Sequence, residues 1–221
     1  MKISVVIPTI NEEASIGEVI DAIPKMDDLE IIVVDYKSTD RTCEIARKKG
    51  AIVINEENKG YGRAYKTGFK HARGDVIVTM DGDMTYPAEE IDKFVKLLVE
   101  KDLDFITCDR ISMLDKMVMS KTHRFGNWVL TNTMRLLFGL KLKDSQSGMW
   151  IFRKKILEKT KLISDGMPFS EELKIEAYMS GAKIMEIPII YRVRKGEVKL
   201  SSWKDGLNNL FFLFKKKFWL K

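Results

Sequence analysis

The sequence is poor in the residues that build small metal sites and covalent staples. It holds two cysteines and two histidines in 221 residues. Cys43 and Cys108 stand far apart, in neither a CxxC nor a Cys/His cluster, which excludes a zinc site and a disulfide framework. No apolar run approaches the ~20 residues that cross a bilayer. The N-terminal Met runs straight into an apolar strand pattern, without a secretory signal. The expectation is a cytosolic chain, or one that lies on a membrane without spanning it. The composition, 45% apolar and 32% charged, excludes wholesale disorder. The length suits one sizeable core, or one α/β domain with an appendage. A net charge of +6 fits phosphorylated substrates, anionic lipid and nucleic acid alike, so charge selects none of them.

What is present is a rhythm. Lys2–Pro8, Leu29–Asp35 and Ala51–Asn55 are short apolar strands, as is the run that starts at Val76. Between them, Ile16, Val19, Ile20 and Ile23 recur at helical spacing in a helix over Ala14–Ile23 that Pro24 ends. Ser38-Thr39-Asp40 cap a helix over Arg41–Lys49, with Gly50 at its C-terminal end. Asn58-Lys59-Gly60-Tyr61-Gly62 turns into another helix that ends near Arg73-Gly74. Strand–helix–strand with short connections calls for a mostly parallel, doubly wound α/β sheet. Beyond it, helices over Glu89–Glu100, Arg124–Phe138 and Glu171–Met179 and strands at Asp104–Cys108, Trp150–Phe152 and Ala182–Tyr191 continue the pattern, Pro188 interrupting the last. Residues 111–122 are Met-rich and have no clean period.

The chain is organised around Val76–Pro87, a buried strand that ends in Asp81-Gly82-Asp83. Open α/β sheets bind ligands at the carboxyl ends of their strands. Two carboxylates there, with a Gly that lets backbone or ligand come close, suit a hard divalent cation shared with substrate phosphates. An Asp-Gly turn leaving a strand is the competing reading, and these three residues alone do not decide between the two.

Taken together the motifs resemble glycosyltransferase family 2, the GT-A fold, and within it the dolichyl- or polyprenyl-phosphate sugar synthases. The resemblance rests on Val5-Val6-Ile7-Pro8 with Asn11-Glu12, Val33-Val34-Asp35 with Ser38-Thr39-Asp40, and Asn58-Lys59-Gly60 with Gly68. It continues through Asp81-Gly82-Asp83, Asp144-Ser145-Gln146-Ser147-Gly148 and Arg194-Lys195-Gly196. It implies a nucleotide pocket lined by Pro8, Asn11, Glu12, Asp35, Lys59, Asp81 and Gly82. It implies Mg²⁺ or Mn²⁺ on Asp81 and Asp83, the latter the more direct ligand. Asp144, Gln146 and Ser147 would sit beside the donor diphosphate or the acceptor phosphate. Arg110 and Arg124 would meet the acceptor phosphate, and Arg194 and Lys199, of an Arg-x-Gly-x-x-Lys element, would fold over the bound phosphates. One departure stands out. Where the family reads Asp-Asp-Gly-Ser this chain has Asp35-Tyr36-Lys37-Ser38, which leaves GDP- and UDP-sugars both open.

Loss of a nucleoside diphosphate needs its growing negative charge offset, by a metal acting as a Lewis acid and by Arg and Lys. A sugar-hydroxyl acceptor would also need a base, a place that the resemblance gives to Glu171 or Glu172; equally, these two glutamates suit the first turn of a helix. A lipid phosphate needs no base. In the last segment, Leu200, Trp203, Leu207, Leu210, Phe211, Phe214 and Phe218 form one helical stripe beside Lys204, Lys215, Lys216, Lys217 and Lys221, with Trp203 and Trp219 as interfacial residues. That reads either as a helix lying in an anionic membrane surface or as one packed on the protein's own core. His71 reads as a helix-surface residue, and His123 as a loop residue beside Arg124.

The expectation is a catalytic domain over 1–199 and a basic amphipathic membrane-surface helix over 200–221. Its activity would be inverting transfer of a hexose from a GDP- or UDP-sugar to a polyprenyl (dolichyl) phosphate, peripherally at the cytoplasmic face of the membrane, with no nucleic-acid partner. The alternatives are a transferase with a saccharide hydroxyl acceptor, and a non-catalytic module that binds a nucleotide sugar or membrane.

Overall fold

The computed structural model describes residues 1–114, 118–196 and 202–219, apart from the side chains of 202–204. Strands β1 (Ile3–Thr9), β2 (Leu29–Asp35), β3 (Ile52–Asn55), β4 (Val76–Thr79), β5 (Phe105–Asp109), β6 (Trp150–Arg153) and β7 (Ile184–Pro188) form one sheet in the order β3-β2-β1-β4-β6-β5-β7. β1 pairs in parallel with β2 and β4, β2 with β3, and β5 with β7. Only β6 runs antiparallel, to both β4 and β5. The sheet is therefore mixed but mostly parallel, as the short apolar strands and their connections require. The GT-A architecture expected from the motifs is the one observed.

Helices α1 (Ile16–Ala22), α2 (Thr42–Lys48), α3 (Tyr61–His71), α4 (Ile91–Glu100), α5 (Lys121–Phe138), α6 (Phe169–Met179) and α7 (Ser202–Phe218) cover the sheet. One core joins Val5, Ile7 and Val78 to Ile16, Val19, Phe94 and Leu98. A second, on the other face, joins Val6, Val34 and Ile77 to Tyr65, Phe69, Trp150 and Phe169. Alternate residues of β1 thus enter opposite cores, as period-two geometry demands. Gly68 makes the second packing possible, since a Cβ there would lie 2.3 Å from Val6 Cγ1. The predicted elements recur with ends shifted by a few residues. α5 starts earlier than its spacing suggested, at Lys121, because Ser120 caps it by accepting from the His123 N–H; His123 is therefore helical, not in a loop. Pro188 closes β7 rather than interrupting it.

α7 has a buried and an exposed face. One face is seated: Phe212 and Leu213 are buried, Leu213 against Leu130, Met134 and Ile175. The other leaves Leu207, Phe211, Phe214 and Phe218 exposed, and α5 beside it exposes Phe125, Trp128 and Leu136. Leu200, Lys221 and the Trp203 side chain lie outside the described residues. Among those described, no helix is long and apolar enough to cross a membrane.

Candidate active site

Because β1, β2, β4, β5 and β7 all point one way, their carboxyl ends deliver Glu12, Asp35, Asp81–Asp83, Arg110 and Arg194 to one edge of the sheet. The loop before antiparallel β6, Asp144–Gly148, reaches the same edge from the opposite direction.

The first cluster is the Asp-Gly-Asp turn. Asp83 is buried; its Oδ1 accepts from the Thr85 N–H (3.1 Å) and hydroxyl (2.6 Å). Its Oδ2 accepts from Arg194 Nη1 at 2.8 Å, while Arg194 Nη2 donates to Glu12 Oε1 at 2.5 Å. The neighbouring Lys195 N–H donates to the Asp83 carbonyl, which folds the Arg-Lys-Gly segment over the turn. Gly82 is pressed against Thr9 and Ile7, and its carbonyl accepts from Ser15 Oγ at 2.7 Å. Burial and then the charge of Asp83 push the Asp81 carboxyl up to about 7, although Arg110 and Arg194 pull it down. Lys199 lies outside the described residues.

These residues suit a divalent cation. The donors are carboxylate oxygens, the hard type that Mg²⁺ and Mn²⁺ take, and the Arg194 guanidinium already shows Asp83 and Glu12 meeting a common positive centre. Among the described residues no group of three or more His, Cys, Asp or Glu side chains is gathered to hold a metal ion.

Asp35 ends β2 with its carboxylate engaged by Thr9 Oγ1 (2.9 Å) and by the Ser38 N–H and hydroxyl. Asn11, at φ 49°, accepts from the Thr39 N–H through its side chain. Pro8 is half-buried beside them, and Lys59 is exposed in the loop before α3.

The second cluster surrounds Asp144, which is fully buried. Arg110 holds it with Nε at 2.7 Å and Nη2 at 2.9 Å, and the Asn127 amide and the Gln146 N–H also donate to it. Burial alone would raise this carboxyl; the Arg110 charge and hydrogen bonds overcome that and hold it at about 2. The guanidinium lies 5.2 Å from the Tyr191 ring centre. The loop itself is fixed by Lys174, buried in α6, whose ammonium donates to the carbonyls of Ser145 (2.7 Å) and Ser147 (2.8 Å). Burial, opposed by Asp144, brings that Lys down to about 8. A Cβ on Gly148 would stand 2.3 Å from the Tyr61 hydroxyl and force that side chain to shift, and the Gly148 N–H donates to the Tyr86 hydroxyl.

Beyond Arg110 opens a groove of about 370 Å³ between α5 and α7. Its apolar lining includes Leu130, Val129, Leu207, Leu210, Met119 and Met167, and its polar lining includes Arg110, Asn127, Gln146 and Asn209.

The structure places three of the expected residues apart from the groove lining. Glu172 does not face the site: its oxygens take the Ile163 and Ser164 N–H groups and Lys216 Nζ, at 3.1 Å, behind α6. Glu171 is fully buried behind the loop, accepting from Gln146 Nε2 at 2.6 Å, and burial raises its carboxyl to about 8. Arg124 is exposed on the first turn of α5, outside the groove lining, where His123 stands instead. Conversely, sequence reasoning passed over Lys174, Asn127, Tyr86 and Asn209. Only Tyr86, inside the Asp-Gly-Asp segment, carried a positional hint.

The sequence profile of glycosyl transferase family 2 matches residues 4–161. The chain belongs to that family. It is 37% identical over 206 residues to a dolichyl-phosphate hexose transferase of Haloferax volcanii, covering 92% of this chain and 89% of that one. A low-salt glycan biosynthesis hexosyltransferase of the same organism is also 37% identical, over 217 residues, but this chain spans only 52% of its length. Among solved structures, glucosyl-3-phosphoglycerate synthase of Mycobacterium tuberculosis, in complex with Mn²⁺, uridine diphosphate and glucosyl-3-phosphoglycerate, superposes with a TM-score of 0.76 at 23% identity. That alignment covers 98% of this family 2 chain and 79% of the synthase.

Proposed function

We propose that this family 2 enzyme is an inverting hexosyltransferase that moves a sugar from a nucleoside diphosphate to a polyprenyl phosphate. The observation that carries the reading is a junction at Arg110. On one side lie the carboxylates of Asp81, Asp83 and Glu12 with Arg194, a set built to meet a diphosphate and a cation. On the other lies an apolar groove between two helices. A charged donor site that opens into an apolar groove fits an acceptor with a phosphate head and a hydrocarbon tail. The relative named for dolichyl phosphate supports it.

Asp81 and Asp83 would hold the divalent cation, which when bound offsets the charge that collects on the leaving diphosphate. Arg194, set over the turn, adds fixed positive charge at the same place. Arg110 stays cationic and oriented because Asp144 grips two of its nitrogens, so it can receive the acceptor phosphate without rearranging. The phosphate oxygen is an anion already and attacks the anomeric carbon from the face opposite the diphosphate, with no proton to remove. That agrees with the enclosure of Glu171 and the diversion of Glu172 onto Lys216, which leave a sugar-hydroxyl acceptor without its expected base. Exposed aromatic and leucine side chains on α5 and α7, beside Lys215 and Lys217, would rest on an anionic membrane surface at its cytoplasmic face.

The test is transfer from a panel of GDP- and UDP-sugars to a short polyprenyl phosphate with Mn²⁺ or Mg²⁺, with Asp83→Asn as control. A lipid-linked sugar that disappears in the variant supports the reading and names the donor. Transfer only to saccharides, or nucleotide binding with no turnover of any donor, overturns it.

A further inference from the structure

α7 is joined to the body of the protein by an apolar seat and, among the described residues, by two buried polar contacts. One is Lys216, which pairs with Glu172 and Glu176 at 3.1 and 2.7 Å on the far side of α6. The other is Asn209. This residue is buried, 3% exposed, in the groove lining, and its Nδ2 donates to Gln146 Oε1 at 2.6 Å. Gln146 passes the contact inward: its Nε2 donates to Glu171 Oε1 at 2.6 Å and to Ser145 Oγ at 2.9 Å. Its backbone N–H donates to Asp144 Oδ1 at 3.0 Å.

The chemistry of amides makes this chain directional. Both hydrogens of the Gln146 amide are engaged toward Ser145 and Glu171, so only its carbonyl is left to face α7. A carbonyl can be met only by a donor. Asn209 supplies that donor; among the described residues its own Oδ1 is buried with no hydrogen-bond partner. The apolar seat, Phe212 and Leu213, has no such directional demand.

We propose that Asn209 is a positioning residue which ties the acceptor end of the active site to α7 through its own hydrogen bond, independently of the helix's apolar seat. It sets the rotamer of Gln146, Gln146 sets the loop that carries Asp144, and Asp144 sets Arg110. Through this one contact the helix that forms one wall of the apolar groove steadies the cation that receives the acceptor head group. The proposal rests on the transferase reading for its functional consequence, but its structural half stands apart from it.

The test compares two variants of the full chain. Asn209→Leu keeps the side-chain volume and removes the donor; Leu213→Ala weakens the seat of the same helix without touching Gln146. Steady-state transfer to a short polyprenyl phosphate is measured beside amide hydrogen exchange and UDP affinity. For Asn209→Leu the expected result is a KM for the acceptor about three- to tenfold higher, the worth of one hydrogen bond, with UDP affinity unchanged and faster exchange in residues 143–149. Leu213→Ala should lower Tm more, yet leave acceptor KM and exchange at 143–149 near those of the parent. In the double variant Asn209→Leu/Gln146→Leu, the acceptor effect should not exceed that of Gln146→Leu alone. The proposal is overturned if Leu213→Ala and Asn209→Leu change acceptor KM alike, if the double variant multiplies the two single effects, or if exchange at 143–149 is unmoved by Asn209→Leu. Should the parent protein transfer nothing to polyprenyl phosphate, the functional reading fails by itself, and the exchange experiment still decides whether Asn209 governs the loop.

Discussion

Replacing Arg110 with Met tests the electrostatics on which the acceptor site depends. The pair it breaks is enclosed: the Arg110 side chain is 11% exposed and that of Asp144 not at all. Removing one partner of such a pair leaves a buried charge unmatched, which costs about 3–5 kcal/mol. For a chain of this size 1 kcal/mol moves Tm by roughly 2–4 °C, so the variant should melt roughly 6–20 °C lower at pH 7. The pH dependence follows from the direction of the shift. In the parent, Asp144 titrates at about 2 against an ordinary 3.8, so its contribution to stability is complete above about 4 and is lost as pH falls through 2. Without Arg110, burial dominates and the carboxyl titrates above 3.8. The sign then reverses, and ionising Asp144 costs stability progressively as pH rises. The Tm gap between parent and variant should therefore be widest near neutrality and shrink toward pH 4. Adding Asp144→Asn should restore part of the loss. Thermal melts of the three proteins from pH 4 to 8 are sufficient. A gap below 2 °C at pH 7, a gap indifferent to pH, or additive losses in the double variant would refute this account.

Three further outcomes are expected. Glu171→Gln should retain phosphate-acceptor activity to within about threefold, since no proton has to be removed. Because burial raises Glu171 from 4.5 to about 8, its contribution is present below pH 4.5 and is lost as pH rises toward 8; the variant should gain on the parent across that window, by Tm, and a pH-independent difference would contradict it. Asp83→Asn should abolish the heat of Mn²⁺ binding in the presence of UDP and lower transfer at least a hundredfold, measured by calorimetry and product formation; undiminished metal binding would remove Asp83 from the metal set. Exchanging Leu207, Phe211 and Phe218 for Ser should leave Tm within a few degrees, because these side chains are exposed, and should release the protein from phosphatidylserine vesicles in a sedimentation assay. Retention on the vesicles would locate the membrane contact elsewhere.

The sheet was legible because its strands are short, apolar and β-branched, and because each is followed by chemistry-bearing residues at the end where parallel topology gathers them. Asp81 and Asp83 could be singled out for that reason, while Asp144 and Arg110 came only from the motifs of the family. What was not legible depends on partners distant in the chain. Glu171 and Glu172 are adjacent acids at a helix start, and their local pattern fits both a base and a dipole-stabilised turn. Only the packing of α7 on α6 reveals that Lys216 takes Glu172, and only burial beneath the loop reveals the environment of Glu171. Asn209 sits in a stripe otherwise read for its leucines and phenylalanines, so its value lay in a register that no periodicity reports. Nothing in the local sequence around Lys174 marks it as a buried ammonium held by two carbonyls. Arg194 was placed by its motif, but its grip on Glu12, 182 positions away, is a product of the fold.

The reversed strand has a consequence for how such an enzyme can vary. The chain leaves β5 and enters antiparallel β6 on one rim, so everything between them, the 18-residue helix α5 included, is an excursion that never has to cross the sheet. A right-handed crossover fixes the length and path of the helices that link the donor strands; this excursion is under no such constraint. Its two anchor points hold Arg110 and Asp144 face to face whatever lies between. On the proposed reading the scaffold thus separates two problems: a donor half whose geometry is locked by strand order, and an acceptor half that can lengthen, shorten or change its apolar surface while the clasp at its base stays the same.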